Sequence, residues 1–188
     1  SIMAWNRLIY RVADLFLVNQ AKRRTLGDAH PSKEPIWFDF HSPKLLFDGA
    51  RHFNSLALQL VDMGHPVVVI DRNRLALRLA RKLHGRAVIQ CPSVFFAKST
   101  QSPPAGSTVI TDSLSSEASC FSIRVSLEEQ LAALSPELLQ RIRARGFDPA
   151  RLIAWSKTVG VDRDRRNRLS GQVDPPSQGD VVDAPKPG

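Results

Sequence analysis

The fold class follows from one stretch, FDGARHFNSLALQLVDMGHPVVVID, which runs from Phe47 to Asp71. Its middle part places apolar residues at the i, i+3, i+4, i+7 and i+8 positions of one helix face. Gly64 suits the left-handed position that ends a helix, and Pro66 prevents the helix from continuing. The run PVVVI is apolar throughout, as in a strand covered on both faces of a parallel sheet. The stretch therefore predicts a loop, a helix, a tight turn and a buried strand.

Further elements are predicted on both sides of that stretch. A helix is predicted over residues 73–83, with Gly85 at its end. Further helices are predicted from a capping box at residues 126–129, from Ser135 and Asp148 as caps before a proline, and from Gly146 as a helix end. The predicted strands are residues 36–40, 86–90, 107–112 and 120–125, with a further short element at 94–97. Strands that alternate with helices imply right-handed βαβ units. The predicted fold class is α/β, with an open, largely parallel, Rossmann-like sheet flanked by helices.

The chain divides into four predicted segments. Residues 1–24 form an amphipathic helix, 25–34 a polar linker, 35–158 the α/β domain and 159–188 a disordered tail. The tail has few large apolar residues, so it cannot bury enough surface to offset its ordering entropy. A Ser at position 1, rather than Met, is expected of a processed chain or of a piece of a longer one.

The composition indicates which class of partner and which cellular compartment to expect. The 188 residues carry a formal net charge of +8, which suits a nucleotide, a nucleic acid or an anionic lipid. Two cysteines, Cys91 and Cys120, form no disulfide framework, so we expect a reducing, cytoplasmic compartment. No stretch approaches the roughly 18 apolar residues of a membrane span.

The N-terminal helix has two possible roles. In the first, it lies on the inner face of an anionic membrane, with Lys22, Arg23 and Arg24 near the lipid headgroups. In the second, which is commoner in soluble proteins, the helix packs on its own domain or on another one. Both readings rest on apolar residues at helical spacing, which are Ile2, Trp5, Ile9, Val12 and Phe16, with Leu8 and Leu15 beside them.

Residues 36–71 resemble the start of the N-terminal, acceptor-side domain of GT-B-type glycosyltransferases. The positions that match the family pattern are Gly49, Arg51, His52, Leu56, Ala57, Leu60, Gly64, His65, Pro66 and Val67. The family usually has two or more glycines in the loop, whereas this chain has Gly49 alone. The resemblance implies glycosyl transfer from a nucleotide sugar to an acceptor hydroxyl. It also implies a domain that is truncated or inactive alone and is completed by a second domain.

The loop before the first helix of that stretch holds the candidate substrate-binding residues. Ligands of open parallel sheets bind outside the carboxyl ends of the strands, where the loop 41–51 is expected. Gly49 leaves backbone donors free for an anionic group, Arg51 can pair with phosphate, and His52 can hydrogen-bond a hydroxyl. The alternative is that Asp48 caps the helix while Arg51 and His52 are solvated.

Other acidic and thiol residues are expected at the same edge of the sheet. Asp71, Cys91 and Asp112 each follow a predicted strand. Asp71 stands where a Rossmann unit places its ribose-binding acid, but the Gly-rich phosphate loop is missing, which favours a helix N-cap. The sequence therefore predicts no resident cofactor and names no catalytic base.

A metal site and a nucleic-acid site are both disfavoured. Asp39, His41, Asp48 and His52 match no recognised metal-ligand spacing. Residues 72–86 carry a run of basic side chains, but no helix-turn-helix, zinc or base-stacking pattern accompanies them. The competing function is a non-catalytic binding module that uses these basic faces for nucleic acid or for an anionic membrane, with nucleic acid the less favoured.

Overall fold

A computed structural model describes residues 1–28, 33–42, 50–115, 117, 119–123 and 125–154, without the side chains of 50–55, 83 and 84. Five strands form one sheet: β1 (Ile36–Asp39), β2 (Val67–Asp71), β3 (Val94–Lys98), β4 (Thr108–Thr111) and β5 (Cys120–Ser122). Their order is β3-β2-β1-β4-β5, and every neighbouring pair is parallel. The predicted α/β fold with a parallel, Rossmann-like sheet is confirmed.

Helices flank the sheet. They are α1 (Ile2–Arg23), α2 (Ala50–Asp62), α3 (Leu75–Ala80), α4 (Leu83–Gln90), α5 (Leu127–Ala133) and α6 (Pro136–Ala144). Residues 149–154 are also helical. The predicted N-terminal helix is therefore present. The predicted tail 159–188, and the last four residues of the predicted domain, lie outside the described residues.

The central strands are buried on both faces. Phe38 and Val69 are fully buried in the large cluster that packs against the helices. Trp37 and Val68, which alternate with them, belong to a second cluster on the other face. Burial of each such side chain stabilises the fold by roughly 1.5–3 kcal/mol. The continuous apolar run of β2 predicted this arrangement.

The turn between α2 and β2 is a Schellman motif. Gly64 has a φ of 94°, and its N–H donates to the carbonyl of Val61 at 2.9 Å. The N–H of His65 donates to the carbonyl of Leu60 at 2.9 Å. These two bonds satisfy carbonyls that the end of a helix leaves unpaired. The predicted role of Gly64 is confirmed, and the turn delivers the chain directly into β2.

Residues 86–90 were predicted to be a strand, and that prediction is wrong. They form the second half of α4, which packs beside α3. Gly85 was expected to end a helix, but it lies inside α4, where an added Cβ would overlap the carbonyl oxygen of Leu79. Close approach of the two helices, rather than termination, therefore explains this glycine. The third strand of the sheet is instead residues 94–98.

Three of the four predicted helix caps make the expected bonds. Ser135 precedes Pro136 and accepts a hydrogen bond from the Leu138 N–H at 3.2 Å. Asp148 precedes Pro149 and accepts a hydrogen bond from the Ala150 N–H at 3.1 Å. Gly146 follows α6 with a φ of 88°, and its N–H donates to the Arg143 carbonyl at 2.9 Å. Ser126 occupies the N-cap position of α5, but its side chain makes no capping bond, so the capping box predicted there is wrong.

The C-terminal half of α1 is held on the domain. Val18 and Ala21 are buried in the large cluster. Asp14 is 5% exposed and pairs with Arg86 at 2.9 Å. The Arg24 guanidinium donates to carbonyls at the C-terminal end of α4, where a cation complements the helix dipole. Packing on the domain thus accounts for this half of the helix.

Candidate functional site

The order of the strands creates a switch point between β1 and β4. The chain runs from β1 outward to β2 and β3, and then returns to the other side of β1 to form β4 and β5. Connections that leave neighbouring strands in opposite directions open a crevice at the carboxyl ends of those strands. The residues that follow β1 and β4 are therefore the first candidates for a ligand-binding site.

An ion-paired group lies where β1 and β2 end. The Asp39 carboxylate accepts a hydrogen bond from Arg72 Nε at 2.6 Å. His41 Nε2 lies 3.3 Å from the same carboxylate oxygen, and half of the His41 side chain is exposed. Arg72 also donates to the Ser99 carbonyl beyond β3 at 3.3 Å. Arg72 thus joins the carboxyl ends of three strands, and Asp39 lies between a guanidinium and an imidazole.

A buried carboxylate fixes the chain that leaves β1. Asp112, directly after β4, is only 1% exposed. Its two oxygens accept the backbone N–H groups of His41 at 2.9 Å and Ser42 at 2.6 Å. Hydrogen bonds to a charged acceptor are among the stronger ones in proteins. The backbone of His41 is therefore held at the switch point from across the β1–β4 pair. We call Asp39, His41, Arg72 and Asp112 the carboxyl-edge cluster.

Asp71 is used inside the fold. One oxygen accepts the N–H of Ala76 in the first turn of α3 at 2.9 Å. The other oxygen pairs with Lys22 of α1 at 2.9 Å. The carboxylate therefore serves as a helix cap and as an anchor for α1, which confirms the cap interpretation over a ribose-binding role.

Two consecutive residues after Arg72 are left-handed. Asn73 and Arg74 have φ values of 54° and 55°, and both side chains are exposed. Non-glycine residues in this region cost roughly 1–3 kcal/mol each, and such strain is concentrated at functional sites. Asn73 Nδ2 donates to the His41 carbonyl at 3.2 Å. The strained turn thus supports the His41 backbone from the β2 side, opposite to Asp112.

Two of the three predicted substrate-binding residues lie in α2. Gly49 lies outside the described residues. Arg51 and His52 belong to the first turn of α2, and their side chains lie outside the description. The prediction that the loop 41–51 leaves from a carboxyl end is confirmed at its start, because His41 follows β1.

Of the three residues expected to share this edge, two are there. Asp71 and Asp112 stand at the carboxyl ends of β2 and β4. Cys91 does not, because it follows a helix and precedes β3, which places it at the amino end. Burial raises the pKa of the other thiol, Cys120, so it is a weak nucleophile.

Sequence reasoning missed the role of Arg72. It was counted with the basic run 72–86, although it is tied to Asp39 and Ser99. The sequence does contain a signal for this ion pair, because Asp39 ends β1 and Arg72 directly follows β2. Parallel neighbours bring such strand ends together.

The opposite edge of the sheet carries a different feature. An open depression of about 450 Å³ lies at the amino ends of β1 and β4, lined by Glu34, Ala105, Gly106, Ser107 and Arg145. Arg145 donates to the Gly106 carbonyl across it. Arg145 is already bonded, whereas Glu34 Oε2 is buried and has no hydrogen-bond partner among the described residues. The depression is remote from the switch point of the sheet, so the carboxyl-edge cluster is the better candidate site.

None of the described helices combines the length and apolarity needed to cross a bilayer. Within the same residues, no three His, Cys, Asp or Glu side chains are grouped so that they could hold a metal ion. The groups that the carboxyl-edge cluster contains are an imidazole, a guanidinium and carboxylates.

Comparison with protein-family models, curated proteins and solved structures returned no match. The class that fold and site define is an α/β protein with a parallel, Rossmann-like sheet and a polar switch point.

Proposed function

We propose that the chain is the acceptor-side domain of a GT-B-like glycosyltransferase, which transfers a glycosyl group from a nucleotide sugar to an acceptor hydroxyl. The observation that carries the proposal is the half-exposed His41 at the β1–β4 switch point, with Asp39 beside its ring. Open parallel sheets bind their ligands at this place. The resemblance over residues 36–71 supplies the reaction class, and a second domain would hold the nucleotide.

In this proposal His41 is the general base. Attack on the anomeric carbon requires that the acceptor hydroxyl lose its proton, and histidine is the side chain that most often accepts one. In the tautomer that donates Nε2–H to Asp39, Nδ1 is the proton acceptor. The acceptor oxygen forms the new bond to carbon, and the nucleotide diphosphate leaves with the electron pair of the broken bond. Asp39 orients the ring and stabilises the imidazolium.

Gly49, Arg51 and His52 supply the remaining acceptor contacts in this proposal. Because α2 begins at Ala50, Arg51 and His52 belong to its first turn. The start of a helix offers unpaired backbone N–H groups and the positive end of the helix dipole. A guanidinium there adds a charged partner for an acidic or phosphorylated substituent of the acceptor.

Ligand-observed NMR with a panel of nitrophenyl glycosides tests the proposal. We expect His41→Ala and Arg51→Ala to weaken binding of the best probe at least tenfold. Arg81→Ala is the matched control, because Arg81 is an exposed cation at the end of α3, away from the cluster. Probe binding that survives both substitutions, or that is lost equally in the control, would contradict the proposal.

A second candidate is the non-catalytic binding module. Its support is that Arg74, Arg81 and Lys82 are exposed along one helical region. Such a surface suits nucleic acid or anionic lipid, and the cytoplasmic location with attachment to the inner face of a membrane belongs to this candidate. The test is binding of a DNA duplex and of phosphatidylserine vesicles at two salt concentrations. Binding that falls steeply with salt, and weakens in an Arg74→Gln/Arg81→Gln variant, would favour it.

A further inference from the structure

The first 16 residues of α1 carry an apolar surface that the domain leaves uncovered. Trp5 is 67% exposed and Phe16 is 63% exposed. Nine of the eleven exposed large hydrophobic side chains in the described chain belong to this segment, namely Ile2, Met3, Trp5, Leu8, Ile9, Tyr10, Val12, Leu15 and Phe16. Soluble proteins rarely expose so many neighbouring apolar side chains except where a partner binds.

The spacing of these side chains is that of a helix-pairing face. Ile2, Trp5, Ile9, Val12 and Phe16, here called the α1 seam, recur in alternating steps of three and four residues. That alternation is typical of positions that pack between two helices. Leu8 and Leu15 widen the face on one side, as in bundles.

The α1 seam points away from the domain. At 100° per residue, the buried residues Asp14, Val18 and Ala21 lie on the opposite side of the helix from Ile9 and Phe16. The C-terminal half of α1 therefore contacts the domain on the side away from the seam, whereas residues 2–13 are exposed all round the helix. We propose that the α1 seam binds the α1 seam of a second copy of this chain, in antiparallel orientation.

The seam is complementary to itself in that orientation. With a two-fold axis at Ile9, Ile9 faces its own copy, Ile2 is level with Phe16 of the second copy, and Trp5 is within one residue of level with Val12. The Ile2–Phe16 and Trp5–Val12 contacts each pair a large ring with a smaller side chain, and the seam carries no charge. Arg23, which continues the same line, extends beyond the N-terminal end of the opposing helix. A parallel pair would instead oppose Arg23 to its own copy. A self-complementary patch of this kind defines a closed dimer.

The exposed area suits such a dimer. Aromatic side chains cover about 150–250 Å² each, so two of them with five aliphatic neighbours offer on the order of 800 Å². One side of a standard protein interface buries about the same area. The α1 seam together with Leu8 and Leu15 therefore offers enough area for one side of a specific interface.

The charge on α1 lies away from the seam. Arg7 and Arg11 share the side of α1 that holds Asp14, about opposite to the seam. The borders of the seam are neutral, with Leu8 and Leu15 on one side and Asn6 and Ala13 on the other. The seam therefore meets no like charge when it faces a second copy of itself. A helix lying in a bilayer surface also carries Lys and Arg opposite its apolar face, so the measured association state decides between the two occupants.

Analytical ultracentrifugation of the full chain over a wide range of concentration tests the dimer. We expect a monomer–dimer equilibrium that Ile9→Asp shifts to monomer, with unchanged circular dichroism. Ala4→Asp is the control, because it adds the same carboxylate to an exposed position of α1 outside the seam. Dissociation of the control as well would overturn the proposal.

A charge exchange tests the orientation. Trp5→Lys and Val12→Glu each weaken the dimer alone, and together they restore it only if position 5 faces position 12 of the second copy. In a parallel pair the double variant opposes like charges and stays monomeric, which would overturn the antiparallel arrangement. A chain that is monomeric throughout overturns the proposal, whether or not it floats with phosphatidylserine vesicles.

Discussion

The Asp112 carboxylate accepts the backbone N–H of His41 at 2.9 Å, although the two residues are 71 positions apart. The bond joins the end of β4 to the chain that leaves β1, on either side of the switch point. It acts on the backbone, so Asp112 positions the imidazole without contacting a substrate. The location of the candidate base is thus determined by a residue that is almost fully buried.

Replacing Asp112 with Asn should destabilise the protein by roughly 1–3 kcal/mol, because the two N–H groups face different carboxylate oxygens and Asn keeps an oxygen for only one of them. The –NH₂ group would face the second donor and leave it unsatisfied. Urea unfolding measures the change. Asp62→Asn is the control, because Asp62 is exposed, and it should have little effect. Equal stability of the Asp112 variant and the wild type would show that the two bonds contribute little.

The contact between Asp39 and Arg72 should stabilise the fold measurably. Both side chains are less than one third exposed, so we expect a coupling of about 1 kcal/mol in a double-mutant cycle with Asp39→Asn and Arg72→Gln. The pair Arg143–Asp148 provides the comparison, since it is longer, at 3.9 Å, and more exposed. Its coupling should be near zero. A larger coupling for this exposed pair than for Asp39–Arg72 would contradict the assignment.

Gly85→Ala should be strongly destabilising. The added methyl group would overlap the Leu79 backbone, which cannot move aside as a flexible side chain can. We expect a loss of about 1–3 kcal/mol, typical of overpacking, in thermal or urea unfolding. Gly27→Ala is the matched control, since a Cβ there would contact nothing within 4 Å. If both variants unfold alike, α3 and α4 do not approach as described.

Stability should fall as the solution becomes mildly acidic, because of His65. Its side chain is 1% exposed, and Nδ1 donates to the Glu34 carbonyl at 2.7 Å. Burial lowers the pKa of His65 below its ordinary value of 6.5, and the charge of Lys33 acts in the same direction. The carbonyl groups of Glu34 and Gly146 oppose that shift. The unfolded chain therefore binds a proton near pH 6.5 that the folded chain accepts only at lower pH.

The free energy of unfolding should accordingly decline below about pH 6.5, by at most about 1.4 kcal/mol per pH unit, and lose nothing above it. Urea unfolding at several pH values between about 5.5 and 7.5 measures this slope. His65→Gln keeps an N–H donor for the Glu34 carbonyl and should remove the dependence. A variant with the same slope as the wild type would assign the effect to other groups.

The α/β fold was predictable because β1 and β2 are apolar in sequence and Gly64 and Pro66 mark the turn between helix and strand. The segment 86–90 was not, since a short apolar run with β-branched residues is compatible with a strand or a buried helix. In the sequence, the neighbouring Gly85 suggests the end of a helix. In the structure, Gly85 lies where α3 and α4 come into close contact.

The sequence predicted where the candidate site lies better than it predicted which residues form it. Sequence placed Asp71 and Asp112 at one edge, because strand ends of a parallel sheet share it. It could not show that Asp112 holds the His41 backbone or that Arg72 pairs with Asp39, since these contacts depend on which strands are neighbours. Cys91 was predicted to follow the third strand. In the structure the third strand is residues 94–98, so Cys91 precedes it.

The central place of β1 has a consequence for synthesis on the ribosome. Ile36 pairs with Val67 on one side and with Thr108 on the other, so the two edges of β1 find their neighbours at different times. A nascent chain that ends after β3 contains three of the five described strands, and the β1 edge that pairs with β4 has no partner yet. Bare strand edges recruit other strands, which makes this interval the one most exposed to misassembly. Arrival of β4 closes that edge and, with Asp112, completes the surroundings of His41.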